Sequence, residues 1–196
     1  MEQFDIDDNH RLAMEDFGVL SGKSNEQKYM SSYEIGAKIV SFYTQNYSQI
    51  ELYWRYVIFS CMVGNGDAHL KNFSLLYKQG REPELKLSPL YDVVNTKIYP
   101  TIDNKLALKL RKSKDFPNRD DLIKFARDLK IINPERIIEE MADIINDNLK
   151  QSELFLGFPE LKKSISESLT KSVAKNNVFV VLDKKRTKKR KTDRFL

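Results

Sequence analysis

Asp67, His69 and Asn72 stand at the spacing D-x-H-x-x-N within the run GNGDAHLKN, Gly64 to Asn72, and a second carboxylate, Asp92, follows in SPLYDVVNT. An Asp in such a loop can accept the proton of an attacking hydroxyl, while a nearby Asn and a later Asp can offer the hard oxygen ligands that magnesium takes. The layout is that of a phosphoryl-transfer loop. This chemistry asks a protein mainly to position the reactants and to neutralise charge on the phosphate oxygens. Asp67 fills the role of base and Asn72 and Asp92 those of metal ligands. His69 stands where it can donate a hydrogen bond to the transferred phosphate.

A plainer reading stands beside this one. An Asp flanked by Gly with an Asn nearby is ordinary turn chemistry, because Gly supplies positive φ and Asp or Asn bonds its own backbone. Three features favour catalysis. The loop ends an apolar helix and opens an apolar strand, it holds one of the chain's two histidines, and a matching Asp-containing segment lies downstream.

GNGDAHLKNFSLLY followed by LSPLYDVVNT resembles the catalytic centre of HipA-type serine/threonine protein kinases, the toxins of bacterial toxin–antitoxin operons. MEQFDIDDNHRLAMEDFGVL resembles that family's hinge and the helix after it, and the likeness runs from the first residues to about Lys175. The resemblance implies Asp67 as catalytic base, Asn72 and Asp92 as magnesium ligands and His69 as a contact of the nucleotide. It implies that Glu2 and Phe4, in the hinge, pack on and hydrogen-bond the adenine of ATP. The implied acceptor is a Ser or Thr of a protein, with aminoacyl-tRNA synthetases as family precedent, and the implied partner is a DNA-binding antitoxin. One departure matters. Such kinases carry an N-terminal lobe with a phosphate-covering loop and a Lys for the phosphates, whereas this sequence opens at the hinge. Its seven glycines form neither a GxGxxG nor a GxxxxGK[ST]. The expectation is a C-terminal half, either truncated or completed by an N-lobe from a separate polypeptide.

Composition bounds the alternatives. At 196 residues the chain suits one well-cored domain. The uncharged run from Tyr56 up to Asp67 is too short to cross a bilayer and is broken by Gly64 and Gly66, so no membrane span is expected. The acidic, polar N-terminus is unlike a secretory signal. Cys61, the single cysteine, reads as a buried thiol and can build neither a disulfide nor a cysteine metal site, which fits a cytoplasmic protein. The net charge of +5 is unevenly spread. Eight Lys or Arg and one Asp from Lys184 to Leu196 give that tail +7 and leave the rest at about −2. Such a run is usually a solvated tail. It could also meet phosphates of nucleic acid, though no stacking platform or recognition helix accompanies it.

The surrounding pattern predicts what must position the loop. Asp7 to Met14 reads as an acidic loop with His10 exposed, and Met14 to Leu20 as a short helix. Ser31-Ser32 precede an amphipathic helix carrying Tyr33, Ile35, Ile39, Val40 and Tyr43, with a serine N-cap. Ile50 to Val63, apolar on nearly every face, reads as a core helix that anchors the loop. Phe73 to Tyr77 and Leu85 to Leu87 read as a hairpin that returns Asp92 towards Asp67. Leu106 to Leu110 reads as a short strand. Helices starting near Asn118, at Asn133-Pro134 and at Pro159 read as a supporting bundle without catalytic residues.

These readings predict an α+β, mainly α domain over residues 1–183, resembling the C-terminal lobe of a HipA-like kinase, and a basic tail over 184–196. The predicted function is transfer of the ATP γ-phosphate to Ser or Thr of a protein. The rival is a catalytically silent kinase remnant that binds the antitoxin or the missing N-lobe. A third reading is a nucleic-acid binder acting through its tail.

Overall fold

A largely buried helix forms the centre of the molecule. The computed structural model describes residues 4–7, 10–78 and 84–175, leaving aside the side chains of Asp7 and His10. Within it α2 (Tyr33–Thr44) and α3 (Tyr47–Met62) pack against each other. Tyr53, Trp54, Val57, Ile58, Cys61 and Met62 of α3 are all buried, as the all-round apolar pattern predicts. Ser32 is the N-cap of α2, its hydroxyl accepting the Ile35 N–H, and Asn46 caps α3 by accepting the Ser48 N–H at 2.9 Å.

A three-stranded antiparallel sheet in the order β3-β4-β5 leans on this pair. Its strands are β3 (Ala13–Asp16), β4 (Ser74–Tyr77) and β5 (Lys86–Leu87), with Asp16 opposite Ser74 and Leu75 opposite Leu87. The predicted hairpin is thus present, its turn over 79–83 lying outside the described residues. Phe73 joins sheet to helices. Its ring lies 5.8 Å from Phe17, 5.2 Å from Tyr53 and 6.4 Å from Tyr33.

Three local expectations are corrected. The acidic segment after Ile6 is no open loop but a small hairpin of β1 (Ile6–Asp7) and β2 (His10–Arg11). The helix expected over Met14 to Leu20 is confined to α1 (Phe17–Leu20), because the residues before it are recruited as β3 along the whole of β4, a tertiary pairing that local propensity does not reveal. Leu106 to Leu110 joins no sheet. Among the described residues Lys109 bridges only to Ser32 and Leu110 only to Ser113, so the segment is a strap tied to the start of α2.

The C-terminal helices α4 (Arg119–Asp128), α5 (Pro134–Gln151) and α6 (Pro159–Val173) form the expected bundle. Asn118 caps α4 in a reciprocal box with Asp121. Asn133 holds the N-cap position of α5 in the left-handed region, φ 51°, but its side chain makes no cap bond, so Pro134 carries the start signal alone. The fold is α+β and mainly α. The tail over 184–196 and its boundary lie outside the described residues.

Candidate active site

The loop is built from the end of α3. At Gly64 the chain turns through φ 75°, a conformation that suits Gly, and the Asn65 N–H bonds back to Ser60 O at 2.8 Å. Gly66 follows in a gap so tight that a Cβ would stand 2.4 Å from Thr96 Oγ1 and 2.5 Å from Lys105 O. Only glycine fits. The Thr96 hydroxyl accepts the Gly66 N–H at 2.9 Å, and Thr96 N–H donates to Gly64 O at 3.1 Å. Asn95 donates to Val63 O at 2.8 Å and accepts from Ser164 of α6 at 3.1 Å, so the bundle grips the loop through one amide. On the other side the buried Tyr33 hydroxyl donates to Ala68 O at 3.1 Å.

Asp67, half-buried, presents its Oδ1 to the Tyr29 hydroxyl at 3.1 Å, and Asn65 Oδ1 accepts the Asp67 N–H. Two residues on, His69 is 6% exposed and Asn72 3%. Asn72 Oδ1 accepts the His69 N–H at 2.9 Å, which fixes the turn between them, and its Nδ2 donates to Asp92 Oδ2 at 2.6 Å. That second bond joins the two segments the sequence singled out. Asp92 itself is exposed and adopts φ 55°, the left-handed region that costs an ordinary side chain energy and that Asp tolerates better than most.

Burial lowers the pKa of His69, the nearby Lys28 cation lowers it further, and the carboxylates of Asp67 and Asp92 act in the opposite direction. The imidazole is therefore neutral near pH 7. Its Nδ1 is buried without a hydrogen-bond partner among the described residues, while the Tyr29 ring meets the imidazole edge-on at 5.2 Å.

Among the described residues no group of three or more His, Cys, Asp or Glu could hold a metal ion. A cation here would rest on Asp92 and on the second lone pair of Asn72 Oδ1. One carboxylate and one amide are a poor set for zinc but suit magnesium, which keeps waters and phosphate oxygens as its other ligands.

The sequence-derived residues thus fall together in part. Asn72 touches Asp92 directly, and His69 lies within electrostatic reach of Asp67 and Asp92. Phe4 stacks on Tyr91 with ring centroids 6.1 Å apart and 18° between planes. Tyr91 donates to Lys71 O at 2.6 Å, so the 2.6 Å contact between Ser74 and Tyr91 has Ser74 as donor, and Phe4 is tied to the loop through that tyrosine. Glu2 lies outside the described residues. Reading the sequence missed Tyr29, Tyr91, Asn95 and Thr96. Tyr91 and Asn95-Thr96 flank Asp92 closely enough to have been flagged; nothing in the sequence marks Tyr29, which arrives from a separate segment.

Comparisons with known proteins bear on the family and the fold. The model of the HipA-like C-terminal domain matches residues 1–151. A Haemophilus influenzae protein named "Putative kinase" is 41% identical over 90 residues, covering 45% of this chain and 25% of that protein. A Sinorhizobium fredii protein, "Putative kinase Y4dM", is 31% identical over 129 residues, 64% of this chain and 31% of that protein. A chain of the Shewanella oneidensis MR-1 complex of HipA, HipB and operator DNA superposes with a TM-score of 0.67 at 19% identity, covering 88% of this chain and 48% of that one, a likeness of fold. The chain spans between a quarter and a third of the two curated relatives and about half of the solved one.

Proposed function

The chain belongs to the HipA-like C-terminal domain family, and we propose that it is the catalytic lobe of a serine/threonine protein kinase using ATP and magnesium. The observation that carries this reading is the 2.6 Å bond between Asn72 and Asp92, residues of two segments joined beyond a hairpin, in the loop that also presents Asp67. The kinase names of the relatives support it. In this reading Asp67 takes the proton of the acceptor hydroxyl, and Tyr29 holds the carboxylate in place until the acceptor arrives. Asn72 and Asp92 hold magnesium, which when bound neutralises charge on the phosphate oxygens. His69, neutral and with an unpaired Nδ1, offers the nucleotide a hydrogen bond rather than a charge. Phe4, stacked on Tyr91, and Glu2 are the adenine contacts.

No phosphate-cradling glycine loop occurs in these 196 residues. The lobe that covers the phosphates is therefore to be supplied from outside them, and the chain by itself transfers little phosphate, because positioning provides much of the rate. The Shewanella complex, with HipB and operator DNA, supports a DNA-binding antitoxin as partner here. No helix among the described residues is long and apolar enough to cross a membrane; we place the protein in the cytoplasm.

A radiolabelled-ATP assay tests the proposal. Transfer to protein is expected when an N-lobe polypeptide is added and not before, and Asp67→Asn is expected to lower it by about 10²–10⁴-fold with assembly intact. Robust transfer by the lone chain would overturn the half-kinase reading. Full activity of reconstituted Asp67→Asn would remove Asp67 from the role of base, and no transfer under any complementation would leave the silent remnant.

A further inference from the structure

A groove of about 680 Å³ opens where residues 21–35 meet Lys109, walled by Tyr29, Met30, Ser31 and Ile35 together with Lys23 and Lys109. It borders the candidate active site at Tyr29, whose hydroxyl donates to Asp67 Oδ1. Met30, 67% exposed, gives it an apolar surface, and Ser31 Oγ is buried there without a partner. A second hollow, of about 540 Å³, shares Ser32 and Lys109 with the first and continues to Glu34, Arg111 and Lys112. The walls are thus cationic. Lys23, Lys109 and Lys112 make no ion pair among the described residues, Arg111 pairs with Asp128, and Glu34, the one acid lining either hollow, accepts the Arg111 N–H at 2.7 Å. The N-terminus of α2 opens at the same place, adding its partial positive charge.

The backbone adds an independent observation. Leu110 and Ser113 exchange two hydrogen bonds, of 2.7 and 3.0 Å, around Arg111 at φ 48° and Lys112 at φ 73°. Two successive left-handed residues are the signature of a type I′ turn, which favours Asn-Gly and strains side chains such as these. Packing does not require them, for both are exposed. The turn is meanwhile fastened to α2 by Tyr33 N–H on Lys109 O at 3.0 Å and Lys109 N–H on Ser31 O at 3.3 Å. A strained, well-anchored turn thus holds two cations beside a groove walled in part by Tyr29, the hydrogen-bond partner of Asp67.

We propose that this groove receives the acceptor segment of the protein substrate, and that the preferred segment carries acidic residues beside its Ser or Thr. The inference rests on the kinase reading, since the groove is an acceptor site only if Asp67 is the base. Met30 and Ile35 supply apolar contact, and Lys23, Lys109 and Lys112, beside the Asp128-paired Arg111, supply a complement to the acidic side chains. Their charge also selects against basic segments.

Binding and transfer are measured separately on the full chain. A fluorescein-labelled serine peptide flanked by Glu is expected to bind about tenfold more tightly than its Ala-flanked counterpart, with the difference shrinking as salt rises. The triple variant Lys109→Gln, Arg111→Asn, Lys112→Gly is expected to abolish that difference without lowering the thermal midpoint, because Asn-Gly relieves the turn. Equal binding of the two peptides to the wild type would overturn the proposal, as would an unaffected variant or a duplex DNA that displaces the peptide at stoichiometric concentration. With the N-lobe added, the variant is expected to raise KM for the Glu-flanked peptide while leaving kcat near wild type. Unchanged KM in an active kinase would sink the acceptor role alone. Charge-dependent peptide binding without any transfer would instead sink the kinase reading, and with it the acceptor role.

Discussion

The loop layer from Ser60 to Thr96 and the bundle of α4 to α6 belong to one fold, yet they are held in different ways. Around the loop, buried and half-buried side chains bond to main chain: Tyr33 to Ala68 O, Asn95 to Val63 O, Thr96 to both Gly66 and Gly64. Each such bond fixes a single backbone geometry, and a buried partner left alone is costly. The bundle relies on apolar stripes, with Leu122, Phe125, Ile138, Leu149 and Leu169 inside and Arg136–Glu140 or Arg127–Glu135 pairs on the exposed face. Apolar stripes tolerate substitution so long as volume is kept. Position is specified in the first region and only burial in the second.

The contrast can be broken most forcefully at Phe73. Its ring is the shared neighbour of Phe17, Tyr33 and Tyr53, so Phe73→Ala is expected to cost about 3–5 kcal/mol, measured by chemical denaturation. A loss below about 1 kcal/mol would mean that the sheet and helices are not joined through it. Thr96→Val is the sharper probe, because it keeps the shape and removes the hydroxyl that Gly66 N–H needs. About 1–3 kcal/mol should be lost, together with magnesium-dependent nucleotide binding by calorimetry. If binding survives intact, the loop does not depend on Thr96 for its geometry.

Asp92→Gly separates function from stability. Glycine suits φ 55°, so the thermal midpoint should move by less than the equivalent of about 1 kcal/mol while magnesium-dependent ATP binding is lost. Equal binding by wild type and variant would remove Asp92 from the metal site. Leu154→Ser in the bundle region, where the side chain is 78% exposed, is expected to change stability by no more than about 0.5 kcal/mol.

Cys61 offers the mildest test. Burial pushes its thiol from the usual 9.0 up to about 12, against smaller opposing effects of Lys97 and Lys171. A group whose pKa is raised on folding contributes stability that is fully present below its unfolded value and lost as pH climbs, so this contribution holds below pH 9.0 and declines towards 12. Alkylation by iodoacetamide at about pH 8.5 should accordingly track global unfolding, and rapid labelling of the native chain would show that the helix end opens by itself.

Much of this molecule is legible from its residues. The all-round apolar character of α3, the Ser32 and Asn118 caps and the prolines opening α5 and α6 all act locally, through periodicity or a single backbone constraint, and each predicts its element. The spacing of Asp67, His69 and Asn72 likewise pointed to one loop, and the two strands after it to a hairpin. Local signals fail where a distant partner decides. Ala13–Asp16 carries no strong strand pattern and becomes β3 because β4 offers a free edge; Leu106 to Leu110 has a strand's composition but finds no edge and becomes a strap. Tyr29 reaches Asp67 across 38 positions, and Arg111-Lys112 occupy a turn that their own side chains disfavour. The sequence by itself marked which residues carry the oxygen donors and a candidate base, because donor type and spacing are written in the chain. Tertiary structure alone decided which of them touch, and what groove lies beside them, because those contacts depend on packing between segments far apart in sequence.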